Sequence, residues 1–123
     1  MKNNIPQILI SDAEPLQDYY DDGKGNQYSV ARLIDEAKGL DPFDCPLASL
    51  YVGNEIWQGS NMKTLALHCK KVMDANLKYP IILDWNGEVA DGRHRIIKAL
   101  IEGKKTIKAV RLTWEMTPCR VIE

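Results

Sequence analysis

Residues 80–103 read PIILDWNGEVADGRHRIIKALIEG, and the order of residue types in this stretch decides the fold. Pro80-Ile81-Ile82-Leu83 is a short unbroken apolar run, the pattern of a strand covered on both faces. Asn86-Gly87 is a strong hairpin signal, because both residues tolerate the positive φ that a tight turn requires, so Glu88-Val89-Ala90 is expected to return antiparallel. Asp91 then stands where a helix N-cap belongs. Behind it Ile96, Ile97, Leu100 and Ile101 fall at helical spacing on an expected core face, and Gly103 marks the end. Thr106 to Leu112, rich in β-branched residues, is expected to complete the sheet. Strand, turn, strand, helix, strand in this order predicts an α/β (α+β) fold around a small mixed sheet.

Upstream, Ser60 or Asn61 is positioned to cap a second helix. Its Met62, Leu65, Ala66, Cys69, Val72 and Met73 form one continuous face, while Lys63, Lys70, Lys71 and Asp74 point away. Cys45 to Val52 is apolar, partly alternating and headed by Pro46, consistent with a strand. Ser29 precedes the stripe Val30, Leu33, Ile34 and Ala37, with Gly39 just past its end, which predicts a short amphipathic helix and brings the expected helices to about three. Residues 5–10 are expected to form a short edge strand. Asp12 to Gln27 is acidic and reads as a loop, with Asp21-Asp22-Gly23-Lys24-Gly25-Asn26 its most flexible part. That acidic cluster lacks the alternate-position ligands and closing Glu of a calcium loop.

A chain of 123 residues can bury a core without disulfides or metals. The expectation is therefore one domain over residues 1–123, with 1–27 a less regular N-terminal extension. No apolar run approaches the roughly 20 residues that span a bilayer, and Met1 to Pro6 lack the apolar segment of a secretion signal. A soluble, cytoplasmic protein with no membrane partner is expected. Cys45, Cys69 and Cys119 are odd in number and far apart, which fits reduced thiols. His68-Cys69 has no companion pair at zinc-like spacing, so no metal site is expected. With 16 basic against 17 acidic residues and a net charge of -1, the chain lacks the basic surface of a protein that holds DNA unaided. Lys98, Lys104, Lys105, Lys108 and Arg111 gather in the last third, most simply as a solvated face and turn.

The start of the third helix is where chemistry concentrates. The first amides of a helix have no intrahelical acceptor, and the helix dipole adds positive potential there, so an anion is stabilised. Asp91, Gly92, Arg93, His94 and Arg95 occupy this end. Gly92 leaves the backbone accessible to a ligand, and Arg93 and Arg95 offer guanidinium forks that match phosphate oxygens. At 100° per residue, Arg93 falls on the side of Ile96, Ile97 and Leu100, whereas Arg95 turns toward solvent. An inward Arg93 needs an anionic partner, either a ligand phosphate or a protein carboxylate such as Asp91, Glu88 or Asp84.

This order of elements, with Asp91-Gly92-Arg93-His94-Arg95 opening the helix and Thr106-Ile107-Lys108-Ala109-Val110 closing the unit, resembles the nucleotide-binding half of the ParB/sulfiredoxin superfamily. The likeness is strong over the last third of the chain and loose over residues 44–77; residues 1 to about 40 match nothing in it. Sulfiredoxins carry a reactive Cys where Arg93 stands, so the resemblance implies retained phosphate contacts at His94 and Arg95 without sulfinic-acid reduction. It also implies contacts from the preceding helix, at Lys63, Thr64 and His68. ParB partition proteins use cytidine triphosphate and carry a helix-turn-helix domain for which this chain has no room after its last strand. The resemblance therefore implies a stand-alone ParB-like module, of the kind found on plasmids, phages and other mobile elements. Such a module binds a nucleoside triphosphate (ATP or CTP, with Mg²⁺) and acts on DNA through a partner protein.

Two other readings use the same residues. One is a ParB-like enzyme, an NTPase, phosphotransferase or weak nuclease, with His94, His68, Glu55, Asp84, Glu88 or Asp91 as base and Mg²⁺ as cofactor. No paired-carboxylate or histidine motif selects it, and no catalytic residue is assigned. The other is an interaction or inhibitor protein whose nucleotide site is vestigial, with Trp57, Trp85 and Trp114 as interface anchors. Under the nucleotide reading, Arg93→Ala and Arg95→Ala are both expected to lose binding while the fold survives.

Overall fold

The apolar run and the β-branched run lie side by side at the centre of the molecule. In the computed structural model, which describes residues 5–8, 19–53, 57 and 61–121, β4 (Ile81–Leu83) and β6 (Thr106–Arg111) pair in parallel. β5 (Val89–Asp91) lies antiparallel beside β4, and β3 (Phe43–Pro46) antiparallel beside β6, giving the order β3-β6-β4-β5. A parallel pair needs a crossover, and here it is β5 followed by α3 (Arg93–Ile101). A second, antiparallel sheet joins β1 (Tyr19–Asp21), β2 (Asn26–Ser29) and β7 (Arg120–Val121). α1 (Val30–Ala37) and α2 (Met62–Asp74) complete the described elements of this mixed α/β fold.

The two faces of the four-stranded sheet define two cores. Ile81, Leu83, Ile107 and Ala109 point to the α3 side, where they meet Ile96 and Ala99. Ile82, Val110 and Leu112 point to the other side and pack with Leu33 of α1 and with Tyr20 and Tyr28 of the small sheet. Both faces are covered, which is why β4 reads as an unbroken apolar run.

Local signals explain most boundaries. The Ser29 side chain accepts from the Arg32 amide and caps α1. Asn61 and Thr64 exchange a reciprocal capping box at the start of α2. The hairpin between β4 and β5 forms as expected, although its loop is longer than two residues. The Asp84 amide donates to the Glu88 carbonyl, so Trp85, Asn86 and Gly87 make the turn, with Gly87 at φ 83°. Asp84 organises this corner. Its buried carboxylate accepts from the Asn86 and Glu88 amides and from the Tyr20 hydroxyl at 2.9 Å, which ties the small sheet to the large one.

Several expectations are corrected. Residues 19–27 are not all loop: β1 and β2 form a hairpin around Asp21 to Asn26, whose turn is held by Asp21 and Asp22 side chains accepting amides. The polar composition hid this hairpin, because only Tyr20 and Tyr28 turn inward. The strand expected at 45–52 lies earlier, at Phe43–Pro46: its partner β6 begins at Thr106, so the ladder closes with the Leu47 amide donating to the Lys105 carbonyl, and residues 47–49 form a 3-10 turn. Residues 5–8 form no strand, and the other residues of that expected edge strand lie outside the described ones. On α2 the expected apolar face is largely solvent-exposed, with Met62 at 91% and Met73 at 75%, and only Val72 is buried. On α3 the buried residues are Ile96 and Ala99, while Leu100 and Ile101 are exposed on the last turn.

Candidate functional site

Asp91 is the last residue of β5 and does not cap α3 as expected. Gly92 is the N-cap, with φ 113° and no side-chain cap bond. A Cβ on Gly92 would lie 2.5 Å from Ile81 Cγ2. The glycine is therefore required where α3 closes onto β4. Gly92, Ile96 and Ala99, at i, i+4 and i+7, form the buried stripe of α3, and Arg95 lies nearer to that stripe than Arg93. Arg93 and Arg95 consequently exchange the roles expected of them. Arg95 turns inward, donating to Asp91 Oδ2 at 2.9 Å and to the Pro80 and Tyr79 carbonyls at 2.7 and 3.1 Å. It fastens the start of α3 to the entry of β4. Arg93 is exposed and forms no side-chain hydrogen bond or ion pair with the described residues.

In front of this turn opens a cleft of about 1030 Å³, bounded by α1, α2, the entry to β4 and the first turn of α3. Its lining combines aromatic and aliphatic residues, among them Tyr19, Ile34, Leu40 and Tyr79, with Arg93, Lys70, Lys71 and both histidines. The volume suits a small organic ligand, and a lining that mixes apolar and cationic groups suits one that joins an anionic group to a flat or apolar body.

Three rings of the lining meet. Trp57 stacks on His68 at a centroid distance of 3.8 Å and 7° between planes, and reaches His94 at 5.2 Å and 22°. His68 Nδ1 lies 2.9 Å from His94 Nε2. Burial, and then the charge of Lys71, hold the His68 imidazole below its ordinary value.

Comparison of the chain with family models, with curated proteins and with solved structures finds no match. The site is accordingly read from its own geometry.

Asp91, Gly92, Arg93, His94 and Arg95 all line the cleft, and His68 joins them from α2. Lys63 and Thr64 do not line it. Thr64 faces its own capping box, its hydroxyl donating to the Asn61 carbonyl and accepting the Asn61 amide. Lys70, Lys71 and Tyr79 also line the cleft though the sequence does not mark them as ligand contacts, and Trp57, expected as an interface anchor, lies against the two histidines. Helical spacing offered a signal for one of them, since Lys71 is three residues from His68 and shares its face. Three of the basic residues of the last third are engaged elsewhere. Lys98 donates to the Met73 and Ala75 carbonyls at the end of α2, Lys108 pairs with Asp44, and Arg111 donates to the Trp85 carbonyl. Among the described residues no group of three or more His, Cys, Asp or Glu side chains could hold a metal ion. No helix among them is long and apolar enough to cross a membrane.

Proposed function

We propose that the cleft binds the phosphate groups of a nucleoside triphosphate, such as ATP or CTP with its Mg²⁺, at the opening turn of α3. The observation that carries this reading is the division of labour between two arginines. Asp91 neutralises Arg95, whereas Arg93 stands exposed at the same turn, beside a cavity, with no carboxylate of the described residues against it. A guanidinium at a helix N-terminus combines a bidentate donor with the dipole of the helix, and an anion is the ligand both favour. Lys70 and Lys71 add positive charge to the lining, and its aromatic and aliphatic residues offer surface for a base and ribose. The resemblance of residues 80–112 to the nucleotide-binding half of the ParB/sulfiredoxin superfamily supports the same assignment. Action on DNA through a partner protein is the corresponding biological role.

Thermal unfolding with ATP, CTP, GTP and inorganic tripolyphosphate, with and without Mg²⁺, tests this. A ligand at about one hundred times its Kd stabilises the folded state by about 2.7 kcal/mol, a clear upward shift in Tm. Arg93→Ala is expected to abolish that shift. An unchanged Tm with every phosphate compound at millimolar concentration refutes the assignment and favours an interaction protein.

A further inference from the structure

The chain has two histidines, and they are in contact with each other. Their geometry limits what they can do. The ring centres are 5.2 Å apart and the planes differ by 19°, while the facing nitrogens are 2.9 Å apart. The difference between those distances is little more than the two ring radii, so both nitrogens lie near the line joining the ring centres. Each lone-pair direction therefore points at the other ring, the arrangement of a linear N–H···N hydrogen bond. Two ligands of one metal ion would instead converge on a third point off that line.

A proton count follows. The neutral pair holds one hydrogen in the gap, donated by one ring to the other. After one further proton is bound at an outer nitrogen, the gap still holds one hydrogen. The bond is now charge-assisted and roughly twice as strong as a neutral one. After a second, both facing nitrogens carry hydrogens, no acceptor remains, and two cations oppose each other. One added proton strengthens the contact and two destroy it.

The surroundings decide when the first arrives. From α2, Lys70 and Lys71 oppose it and Asp74 favours it; from the first turn of α3, Arg93 opposes it, while Asp91 and Arg95 neutralise each other. Lys38, at the end of α1, also lines the cleft and opposes it, and the phenols of Tyr19, Tyr20 and Tyr79 are further polar groups of the lining. The Trp57 face favours the cation. An anion seated among these cations would remove most of the opposition.

We propose that His68 and His94 act as a one-proton unit that takes up its proton together with a polyphosphate anion, so that acidification tightens binding at this site. This rests on the phosphate-binding reading and adds its regulation. Linkage makes the effect reciprocal: if the anion raises the proton affinity of the pair, the proton raises the affinity for the anion by the same factor. Uptake of one proton sets the limit at about a tenfold gain in affinity per pH unit.

Imidazole nitrogen NMR on the whole chain reads the pair directly, because no other histidine contributes. The free protein is expected to titrate in two macroscopic steps more than about one pH unit apart, and tripolyphosphate is expected to raise the first. Calorimetry in buffers of different ionisation enthalpy should count up to one proton taken up on binding. The same measurement on His68→Gln, subtracted, cancels the titration of tripolyphosphate itself. Two independent, overlapping titrations overturn the proposal from the free protein alone. Binding of tripolyphosphate with equal proton uptake in both chains overturns the linkage and leaves the phosphate site standing. Failure to bind at any pH removes both.

Discussion

Alanine at Gly92 tests the packing on which the site depends. The new methyl would lie 2.5 Å from Ile81 Cγ2 and 2.8 Å from Ile81 Cβ, on a backbone with φ 113°. A left-handed backbone disfavours an L side chain by about 1–2 kcal/mol, and forcing an extra carbon into a filled core costs about 1–3 kcal/mol. Ile81 is fully buried on a central strand and has little room to yield. The expected loss is therefore about 2–5 kcal/mol, a large share of the roughly 5–15 kcal/mol that holds a domain together. In urea, with a slope of about 1.5 kcal/mol/M, the midpoint should fall by about 1–3 M. Gly103→Ala is the control, since Gly103 also has positive φ, 70°, but nothing lies within 4 Å of its Cβ. It should show the backbone cost alone. Truncating Ile81 to Ala should make the Gly92 substitution less damaging, a coupling that a double-mutant cycle detects. If Gly92→Ala and Gly103→Ala agree within about 0.5 kcal/mol, the close approach of α3 to β4 is not what demands a glycine.

Other consequences separate structural from ligand-facing groups. Arg95→Ala should destabilise by about 1–3 kcal/mol, because it strands Asp91 and two carbonyls at the β4 entry, whereas Arg93→Ala should shift the urea midpoint little. Tyr20→Phe removes a hydroxyl donor to buried Asp84 and should cost about 1–2 kcal/mol in thermal or chemical unfolding; no change would mean the two sheets are not joined there. The folded-state value of His68 is lowered below 6.5, so between the two values the unfolded chain binds more protons than the folded one. Stability is thus fully present above 6.5 and declines as pH falls, and a urea midpoint independent of pH across this window would contradict it. Cys119 accepts from the Ser29 amide and the Arg32 guanidinium, which lower its value, so iodoacetamide should modify it faster than exposed Cys69 at neutral pH. Arg32→Gln should narrow that difference.

Much of the architecture was legible because its signals are local. A caps-and-period reading places α1 behind Ser29 and α2 behind Asn61, and the Pro80 to Leu112 unit follows from an apolar run, an Asn-Gly turn and a β-branched run. The three-residue turn and the early end of β3 were harder, since each is set by the partner strand: Glu88 accepts the Asp84 amide, and β6 starts only at Thr106. The β1–β2 hairpin is hidden for a related reason: its polar residues face solvent, and its two inward tyrosines are held by distant residues, Tyr20 by the Asp84 carboxylate and Tyr28 by the edge of Trp85.

At the site, residue types alone pointed to an anion-binding helix start at 91–95, because an exposed amide turn with arginines has that chemistry wherever it is placed. Which arginine turns inward was decided by tertiary structure. Gly92 packs against Ile81, so α3 buries the stripe through Gly92, Ile96 and Ala99 and not the one through Ile97 and Leu100 that apolar spacing favours, which sends Arg95 to Asp91 and leaves Arg93 at the cleft. The meeting of Trp57, His68 and His94 was likewise beyond periodicity, since it requires α2 and α3 to pack side by side, and no pattern within either helix encodes the distance between them.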